Sequence, residues 1–533
     1  MSTKSATGQK FEWWWIGLLT LAAVAMVVAV LINQNSGNDS ASKMVGSMMI
    51  DNGDEKINWN KLPSKEITLT DSLTIEESGT YHLTGKIEDG LVRIDPGATG
   101  VVKIILDNVS ITNSDGPAIA CMAGDDLVIE LLGANTLTDG ETYSAEFDED
   151  VTGAIYSKAD LTLAGNGSLE LNANYLDGII AKDDLKFKGG IYNIVAVDDG
   201  IRGKDSVYVL GGDFTIAAGA DAIKSTNEFD VGKGFVLIEN GDFELEAGAK
   251  GVKAISTVLI NGGDFKISAV DDAVHSNNYV GIAGGDFEIT TADDAVHADR
   301  ELIVDGGRIN VVKSYEGLEA QVVTINGGKI SVLATDDGIN AGGGSDTTTT
   351  GPNKDPFKAD ADAAVVFNGG EIYVNADGDG IDSNGTVYFN GGKVAVDGPA
   401  DNGNGALDAG GGVIMNGGEM IAVGASGMAL APSGNSSAPS MSVFIANFQS
   451  AGTLIEIKNS AGATVMSHTA AKNFNHIAAG SSKFILGETY EIYLNNEKVV
   501  EVTLSSVTTT AGNYNIEQPT GSMPQPAGQP SRR

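Results

Sequence analysis

The sequence predicts an all-β solenoid, a parallel β-helix with about 22 residues per turn. The first observation is a segment that returns at this period from about Lys182 to Ala425, as in GGDFTIAAGADAIKS, GGDFKISAVDDAVHS, GGDFEITTADDAVHA and GGKISVLATDDGINA. The second is that apolar and polar residues alternate after each glycine pair, which is the period of a β-strand. The third is that tight glycine turns between short strands leave no room for crossover helices. Because one repeat cannot bury its apolar face alone, successive repeats must stack on each other.

Each strand after a glycine pair is predicted to send every second side chain into the core. Phe214, Ile216 and Ala218 are expected to face inward, whereas Asp213 and Thr215 face outward. Stacking places the equivalent residues in one core ladder, which comprises Tyr192, Phe214, Phe243, Phe265, Phe287, Ile309, Ile330, Ile372 and Val394. We interpret this ladder as core packing rather than as a platform for sugar rings.

Composition narrows the range of partners. The 533-residue chain holds 70 glycines, one cysteine and a formal net charge of -38. Phosphate binding needs clustered Lys and Arg, so nucleic acid is excluded as a partner in favour of cations, or of ligands that bring cations. Cys121 has no second cysteine with which to form a disulfide, so packing and hydrogen bonds must hold the fold.

An apolar stretch near the N-terminus predicts a membrane anchor. Residues Trp13–Ile32 are about as long as a bilayer-spanning helix and begin with three tryptophans. Lys4 and Lys10 precede the stretch, which favours a cytoplasmic N-terminus and an extracytoplasmic location for the rest. A cleaved signal peptide is the alternative, in which case the protein would be secreted. We therefore expect a bacterial cell-surface or periplasmic protein.

The remaining boundaries follow from composition and strand patterns. We predict a cytoplasmic N-terminus at 1–12, the anchor at 13–32, a linker at 33–64, the β-helix at 65–430, a C-terminal β cap or module at 431–514 and a disordered tail at 515–533. Insertions near Thr226–Gly234 and Gly342–Asp362 leave the coil just after an acidic corner. They are either walls of a groove on that side or tolerated surface loops.

One position of the repeat is mostly acidic, and we call it the acid column. It comprises Asp177, Asp199, Asp221, Lys250, Asp272, Asp294, Glu316, Asp337 and Asp379. Unit charges about 4.8 Å apart, one strand spacing, repel by roughly 3–4 kcal/mol at an effective dielectric constant near 20. Calcium would relieve this repulsion, because it accepts six to eight oxygen ligands in flexible geometry. Turn chemistry explains single Asp residues at a corner but not the doubled acids.

The sequence therefore predicts calcium as the cofactor. The candidate metal ligands are Asp177, Asp198, Asp199, Asp221, Asp271, Asp272, Asp293, Asp294, Glu316, Asp336 and Asp337.

Three residues beyond each acid lies a second column. It comprises Arg202, Lys224, Lys253, His275, His297, Glu319, Asn340 and Asp382. Its basic half, Arg202, Lys224, Lys253, His275 and His297, is the candidate ligand-binding set, because cations beside bound calcium suit an acidic polysaccharide. Charge balance at a crowded corner is the alternative. Transition-metal binding by the two histidines is less favoured, because carboxylates prefer hard cations.

Several motifs resemble a known family. GTYHLTG, VVKIILDNVSIT, GPAIA, NTLTDG, YSKADLTLAGNGSLEL, AKDDLKFKGG, DDGIRGKDSV and the GGDF and DDAV repeats follow each other in order over about residues 65–425. In these motifs the chain resembles bacterial carbohydrate-binding domain-containing proteins, a pectate-lyase-like group that includes a clostridial cellulose- and polygalacturonate-binding protein. The resemblance implies a right-handed parallel β-helix that binds calcium and acidic or cellulosic polysaccharide, without an established catalytic role. Lys250 and Glu316 depart from the usual Asp at this position, so the run of identical sites is interrupted at these two turns.

The leading hypothesis is thus calcium-dependent polysaccharide binding without catalysis. The enzymatic alternative is β-elimination by a pectate lyase, for which Lys224, Lys253 and Lys250 are the candidate bases. A hydrolase with paired carboxylates is weaker, because acids are so abundant that any two fall within reach. A third hypothesis is a structural or adhesive surface protein that calcium only rigidifies. The sequence does not determine the oligomeric state.

Overall fold

Stacked short strands dominate the computed structural model, which describes residues 53–342 and 361–513. The chain divides into unit 1, which ends at Arg308, and unit 2, which begins at Ile309. The described residues make an all-β solenoid of about 14 turns with almost no helix. Their helical elements are the α-helix α1 (Gly53–Lys56) and a 3-10 helix (Trp59–Lys61). The predicted all-β solenoid is confirmed.

The strands of unit 1 are β1 (Ser64–Leu69), β2 (Leu73–Ile75), β3 (Gly79–Ile87), β4 (Val92–Ile94), β5 (Val101–Thr112), β6 (Ile119–Cys121), β7 (Asp126–Leu132), β8 (Ala134–Thr138), β9 (Gly153–Ser157), β10 (Asp160–Gly165), β11 (Ser168–Ala173), β12 (Asp177–Ala181), β13 (Asp184–Ala196), β14 (Ile201–Gly203), β15 (Ser206–Ala218), β16 (Ile223–Ser225), β17 (Phe235–Ile238), β18 (Asp242–Ala247), β19 (Val252–Ala254), β20 (Thr257–Ile260), β21 (Asp264–Ala269), β22 (Val274–Ser276), β23 (Tyr279–Ile282), β24 (Asp286–Thr291) and β25 (Asp294–Val304).

The strands of unit 2, of which the first begins at the last residue of unit 1, are β26 (Arg308–Ser314), β27 (Glu316–Ile325), β28 (Lys329–Ala334), β29 (Ile339–Ala341), β30 (Ala364–Phe367), β31 (Glu371–Ala376), β32 (Ile381–Ser383), β33 (Thr386–Phe389), β34 (Lys393–Asp397), β35 (Gly412–Met415), β36 (Glu419–Gly424), β37 (Ser440–Gln449), β38 (Leu454–Asn459), β39 (Thr464–Thr469), β40 (Phe474–Ser481), β41 (Thr489–Leu494), β42 (Glu497–Thr503) and β43 (Thr508–Gly512).

Parallel pairing between successive turns sets the register of the core. In unit 1, β15, β18, β21 and β24 pair in parallel so that Phe214, Phe243, Phe265 and Phe287 lie directly above one another. Their rings stack with centroids 4.5–5.0 Å apart. Every member of the predicted core ladder is buried, and the inward and outward positions of β15 alternate as expected. The interpretation of the ladder as core packing is confirmed.

The second glycine of each pair is needed for its backbone conformation. Gly263 has φ of 108°, a region that L side chains rarely adopt. A Cβ atom there would lie 2.8 Å from the carbonyl oxygen of Gly241 in the preceding turn. The glycine pairs of the repeat are therefore a requirement of turns that stack closely.

In unit 2, antiparallel strands follow the last parallel turn. Strand β36 pairs in parallel with β34 and antiparallel with β40, so β40 covers an edge that would otherwise expose unpaired backbone groups. Strands β39, β38, β41 and β42 form a separate four-stranded sheet in that order. Its apolar side chains pack with those of β36, β37 and β40. This packing gives the end of unit 2 its own core.

Some sequence predictions fall on residues that the structure does not describe. These are the N-terminal segment 1–12, the anchor 13–32, most of the linker, most of the second insertion and the tail. Within residues 53–342 and 361–513, no helix has the length and apolar character needed to span a membrane. The predicted anchor lies outside these residues and stays a prediction.

Candidate functional site

The carboxylates of the acid column hold the backbone of the next turn in unit 1. Asp177 Oδ1 accepts a hydrogen bond from the backbone N–H of Asp199 at 3.2 Å, and Asp199 Oδ1 accepts one from Asp221 at 3.1 Å. The pattern continues from Asp221 to Lys250 at 3.0 Å and from Asp272 to Asp294 at 3.2 Å. Buried carboxylates that accept such bonds are satisfied polar groups. One oxygen of each of these acids therefore has a structural role.

The other carboxylate oxygen faces the basic residues of the second column. Arg202 lies 3.0 Å from Asp177. Lys224 lies 3.2 Å from Asp199 and 2.8 Å from Asp221. Because strands β12, β14 and β16 stack in register, each cation sits between the acids of two turns. This stretch of the acid column is neutralised by side chains of the protein itself.

Lysine and histidine side chains contact the acids that follow in unit 1. Lys250 Nζ lies 2.9 Å from Asp271 and also contacts Asp272. His275 Nδ1 lies 2.7 Å from Asp272, and His297 Nδ1 lies 3.0 Å from Asp294. The predicted calcium pocket around Asp271 and Asp272 thus already holds a lysine ammonium group.

Both histidines are buried and have partners at both ring nitrogens. His275 and His297 are 3% and 1% exposed, and their rings stack 4.9 Å apart. Their Nε2 atoms lie 3.2 Å from Asn277 Oδ1 and 3.3 Å from Asp299 Oδ1. A glycan on the surface would not reach these nitrogens, so the arrangement favours a structural role over ligand contact.

The lysines nominated as bases are held in their charged form. Burial alone would lower the pKa of Lys224, but Asp199 and Asp221 outweigh it and raise that pKa above its usual 10.5. The same balance, with Asp272 and Asp271 as the acids, raises the pKa of Lys250. A base in β-elimination must be neutral, which requires a lowered pKa. Two of the three candidate bases are thus electrostatically unsuited to proton abstraction.

Unit 2 presents a different corner, which we call the open acid corner: Asp337, Asp379, Asp382 and Asp408. Asp337 Oδ1 accepts from the backbone N–H of Asp379 at 2.6 Å, and Asp379 Oδ1 accepts from Gly405 at 2.5 Å, so the structural role of the acid column recurs here. One oxygen from each of Asp379, Asp382 and Asp408 lies within 4.8 Å of the other two. Among the described residues, no Lys, Arg or His forms an ion pair with any of the four.

The pKa values of the carboxyl groups at the open acid corner reflect their burial. Burial, followed by repulsion from neighbouring acids, raises the pKa of Asp337 to about 7 from the usual 3.8. The same causes raise the pKa of Asp382 to about 7 and that of Asp379 to about 6. Two neighbouring carboxylates that lack a cation resist joint ionisation. Among the described residues, the open acid corner is therefore short of positive charge near neutral pH.

The oxygens of the open acid corner fit a hard cation. Calcium binds oxygen ligands at about 2.3–2.6 Å, so oxygens on opposite sides of one ion lie roughly 4.6–5.2 Å apart. The three oxygens of Asp379, Asp382 and Asp408 lie within 4.8 Å of one another, so one ion could contact all three. All three side chains are partly exposed, which leaves room for water or a ligand to complete the coordination.

Comparison with known proteins identifies the family of this chain. A sequence model described as carbohydrate-binding domain-containing protein matches residues 70–317 and 271–355, which together cover more than half of the chain. The chain belongs to this family of carbohydrate-binding domain-containing proteins. A family protein from Acetivibrio thermocellus is 33% identical over 146 residues, which are 27% of this chain and 51% of the relative. The chain thus spans about half the length of that relative.

A solved structure also shows similarity. It is described as a polysaccharide lyase-like protein from C. thermocellum in a gadolinium derivative. It shares 29% identity with this chain, and the match covers 45% of this chain and 96% of the other at a TM-score of 0.38.

The structure brings some of the predicted metal ligands together. Oxygens of Asp177, Asp198 and Asp199 lie within 4.8 Å of one another, although Arg202 occupies the adjacent space. In unit 2, Glu316 Oε2 accepts a hydrogen bond from Asn340 at 2.8 Å. Asp198, Asp271, Asp293 and Asp336 are partly exposed, whereas Asp177, Asp199, Asp221, Asp272 and Asp294 are buried. Their assignment to calcium stays a prediction.

Sequence reasoning missed Asp408 and left Asp379 and Asp382 out of the metal site. Leu407 pairs with Ile381 through a β-bridge, so Asp408 occupies the same place as Asp382 one turn earlier. That turn takes 26 residues rather than 22, which shifts Asp408 out of the periodic alignment. Alignment of GALDAG with GDGIDSNG by their apolar residues would have revealed it.

Proposed function

We propose that the chain is an extracytoplasmic, calcium-dependent polysaccharide-binding protein without catalytic activity, and that the open acid corner binds the calcium. The main support is the geometry of this corner: one oxygen from each of three partly exposed carboxylates lies within 4.8 Å of the other two. Among the described residues, none of these carboxylates has a basic partner. Membership of a carbohydrate-binding family supports a glycan as ligand.

The corner favours an acidic glycan over a neutral one. Calcium bound by Asp379, Asp382 and Asp408 would keep open coordination positions towards solvent. A uronate carboxylate could fill these positions as a further oxygen ligand of the ion. Such a bridge through the metal explains how a chain with net charge -38 could hold an acidic polymer.

The lyase alternative lacks a suitable base at this corner. The two basic candidates described above, Lys224 and Lys250, have raised pKa values and bonded ammonium groups. Both also belong to the neutralised stretch of unit 1 rather than to the open acid corner. Binding without elimination is therefore the function that the geometry supports best.

The proposed location is outside the cytoplasm. It rests on the anchor predicted over residues 13–32, which lies outside the described residues. Accessibility of the β-helix to protease in intact cells would test it, and complete protection would contradict it.

Retention on immobilised polygalacturonate tests the binding function. We expect the full chain to be retained in calcium and to elute with a chelator. Asp382→Asn combined with Asp408→Asn should abolish retention, whereas Asp286→Asn, an exposed acid paired with Arg308 in unit 1, should not affect it. Equal retention of the double variant in calcium would contradict the assignment of the corner.

A further inference from the structure

The first insertion of unit 1 carries an exposed aromatic ring on a firmly held loop. Residues 226–234 leave the solenoid directly after β16, two residues beyond Lys224, and return at β17. Phe229 and Val231 are 90% and 88% exposed, the two most exposed large apolar side chains among the described residues. Single exposed apolar residues are ordinary, but two that are almost fully exposed on one short loop call for an explanation.

Buried hydrogen bonds fix the shape of this loop. Asn227 is 3% exposed, and its Nδ2 donates to Asp205 Oδ1 at 2.6 Å and to Asp230 Oδ2 at 2.9 Å. Its Oδ1 accepts from the backbone N–H groups of Phe229 at 3.0 Å and Asp230 at 2.9 Å. The side chain of one buried residue thus determines the backbone on both sides of Phe229. The ring is presented to solvent by a preorganised turn.

The base of the loop is fastened to the turn that follows β14. The backbone N–H of Gly234 donates to the carbonyl of Asp205 at 2.6 Å, and that of Asn227 donates to Lys204 at 2.8 Å. Lys233 forms ion pairs with Asp205 and with Asp183, the latter at 3.6 Å. Preorganisation of this kind reduces the entropy lost when a ligand binds.

We propose that Phe229 forms a metal-independent subsite that stacks against the apolar C–H face of a neutral pyranose ring. This inference rests on the proposed polysaccharide-binding function and adds a second point of contact to it. Two side chains supply far less than the roughly 800 Å² per partner that a stable protein interface buries. One planar ring matches the size of one sugar residue.

Charge around the ring selects the kind of ligand. Glu228 and Asp230 flank Phe229 and are both exposed, so an anionic polymer or an anionic membrane surface would meet repulsion here. A neutral sugar whose substituents are equatorial presents a flat C–H face and meets no such penalty. The loop therefore favours a neutral glucan, whereas the open acid corner with calcium favours a uronate.

Binding of two glycans by the full chain tests whether the loop prefers a neutral glucan and the open acid corner a uronate. With cellohexaose as the neutral probe, Phe229→Ala should raise the Kd about tenfold in calcium and in chelator alike, because loss of a stacked ring costs roughly one decade of affinity. Phe229→Tyr keeps the ring and should bind like the unaltered chain. Phe448→Ala removes another exposed phenylalanine, 46% exposed in unit 2, and should have no effect. Polygalacturonate binding should be insensitive to Phe229→Ala and lost in chelator.

Three results would overturn the inference. Cellohexaose binding that is unchanged in Phe229→Ala would remove Phe229 from the site. A shift from dimer to monomer in sedimentation, with glycan affinity intact, would show that the loop contacts a second copy of the chain. Failure of the unaltered chain to bind either glycan would refute the proposed function itself, and the subsite with it.

Discussion

The two stretches of the acid column differ in what faces the carboxylates. In unit 1, Asp177, Asp199 and Asp221 each have a guanidinium or ammonium group within 3.2 Å. In unit 2, the positions of the second column that correspond to these cations are acidic, since they are occupied by Asp382 and Asp408. The same backbone hydrogen bonds to carboxylate oxygens occur in both units. One structural motif is therefore paired with protein cations in unit 1, whereas in the described part of unit 2 the acids of the open acid corner have no ion-paired cation.

The largest effect should follow loss of a buried cation in unit 1. Lys250 is 5% exposed and contacts Asp271 and Asp272. Lys250→Met would leave Asp272 buried without its lysine and should lower the free energy of unfolding by about 3–5 kcal/mol. Urea denaturation would measure this loss.

Lys266→Met is the matched control for this change. Its ion pair with Glu244 is exposed, so no measurable loss of stability is expected. If both substitutions cost the same, the unit 1 stretch would not depend on its buried cations.

In unit 2, neutral substitutions should have the opposite effect on stability. Asp382→Asn with Asp408→Asn removes repulsion and should raise the melting temperature measured in chelator. Calcium at a hundred times its Kd should stabilise the unaltered chain by about 2.7 kcal/mol and this variant hardly at all. Differential scanning calorimetry with and without calcium would measure both effects. A calcium response that survives the double substitution would move the metal site elsewhere.

The pH dependence of stability should also differ between the open acid corner and two acids of unit 1, Asp221 and Asp272. Asp177 and Asp199 do not share this difference, because burial raises their pKa values as well. Asp337 and Asp382 have folded pKa values of about 7, above their unfolded values, so the folded state binds more protons than the unfolded state between about pH 4 and 7. Without calcium, their contribution to stability is present at low pH and is lost as the pH rises to 7.

Asp221 and Asp272 have lowered pKa values because nearby cations outweigh burial, so their contribution is present near neutral pH and is lost on acidification. Melting curves in chelator from pH 4 to 8 would show the first trend as a slope that Asp382→Asn reduces. An unchanged slope in this variant would contradict the assigned cause.

The smallest expected effect concerns catalysis. Polygalacturonate incubated with the full chain and calcium should show no rise in ultraviolet absorbance from unsaturated chain ends, because Lys224 and Lys250 stay protonated. A calcium-dependent rise that Lys224→Met abolishes would establish a lyase instead.

The sequence allowed much of the fold to be predicted but only part of the site. The 22-residue period, the glycine pairs and the alternation of apolar and polar residues locate Phe214 and the core ladder. These signals depend on backbone geometry that every turn repeats. Side-chain pairing across turns carries no such signal. That Arg202 bridges Asp177 and Asp199 depends on register and rotamers, so the sequence did not reveal that a guanidinium group lies beside these predicted calcium ligands. Asp408 was missed because an enlarged turn breaks the period on which the alignment relied.

Isothermal titration of calcium into three forms of the full chain tests the central claim most directly. The forms are the unaltered chain, Asp382→Asn with Asp408→Asn, and Asp199→Asn, which alters the neutralised stretch of unit 1. Our account predicts calcium binding by the first and third forms and its loss in the second. Loss of binding in Asp199→Asn, with binding retained in the unit 2 variant, would contradict it.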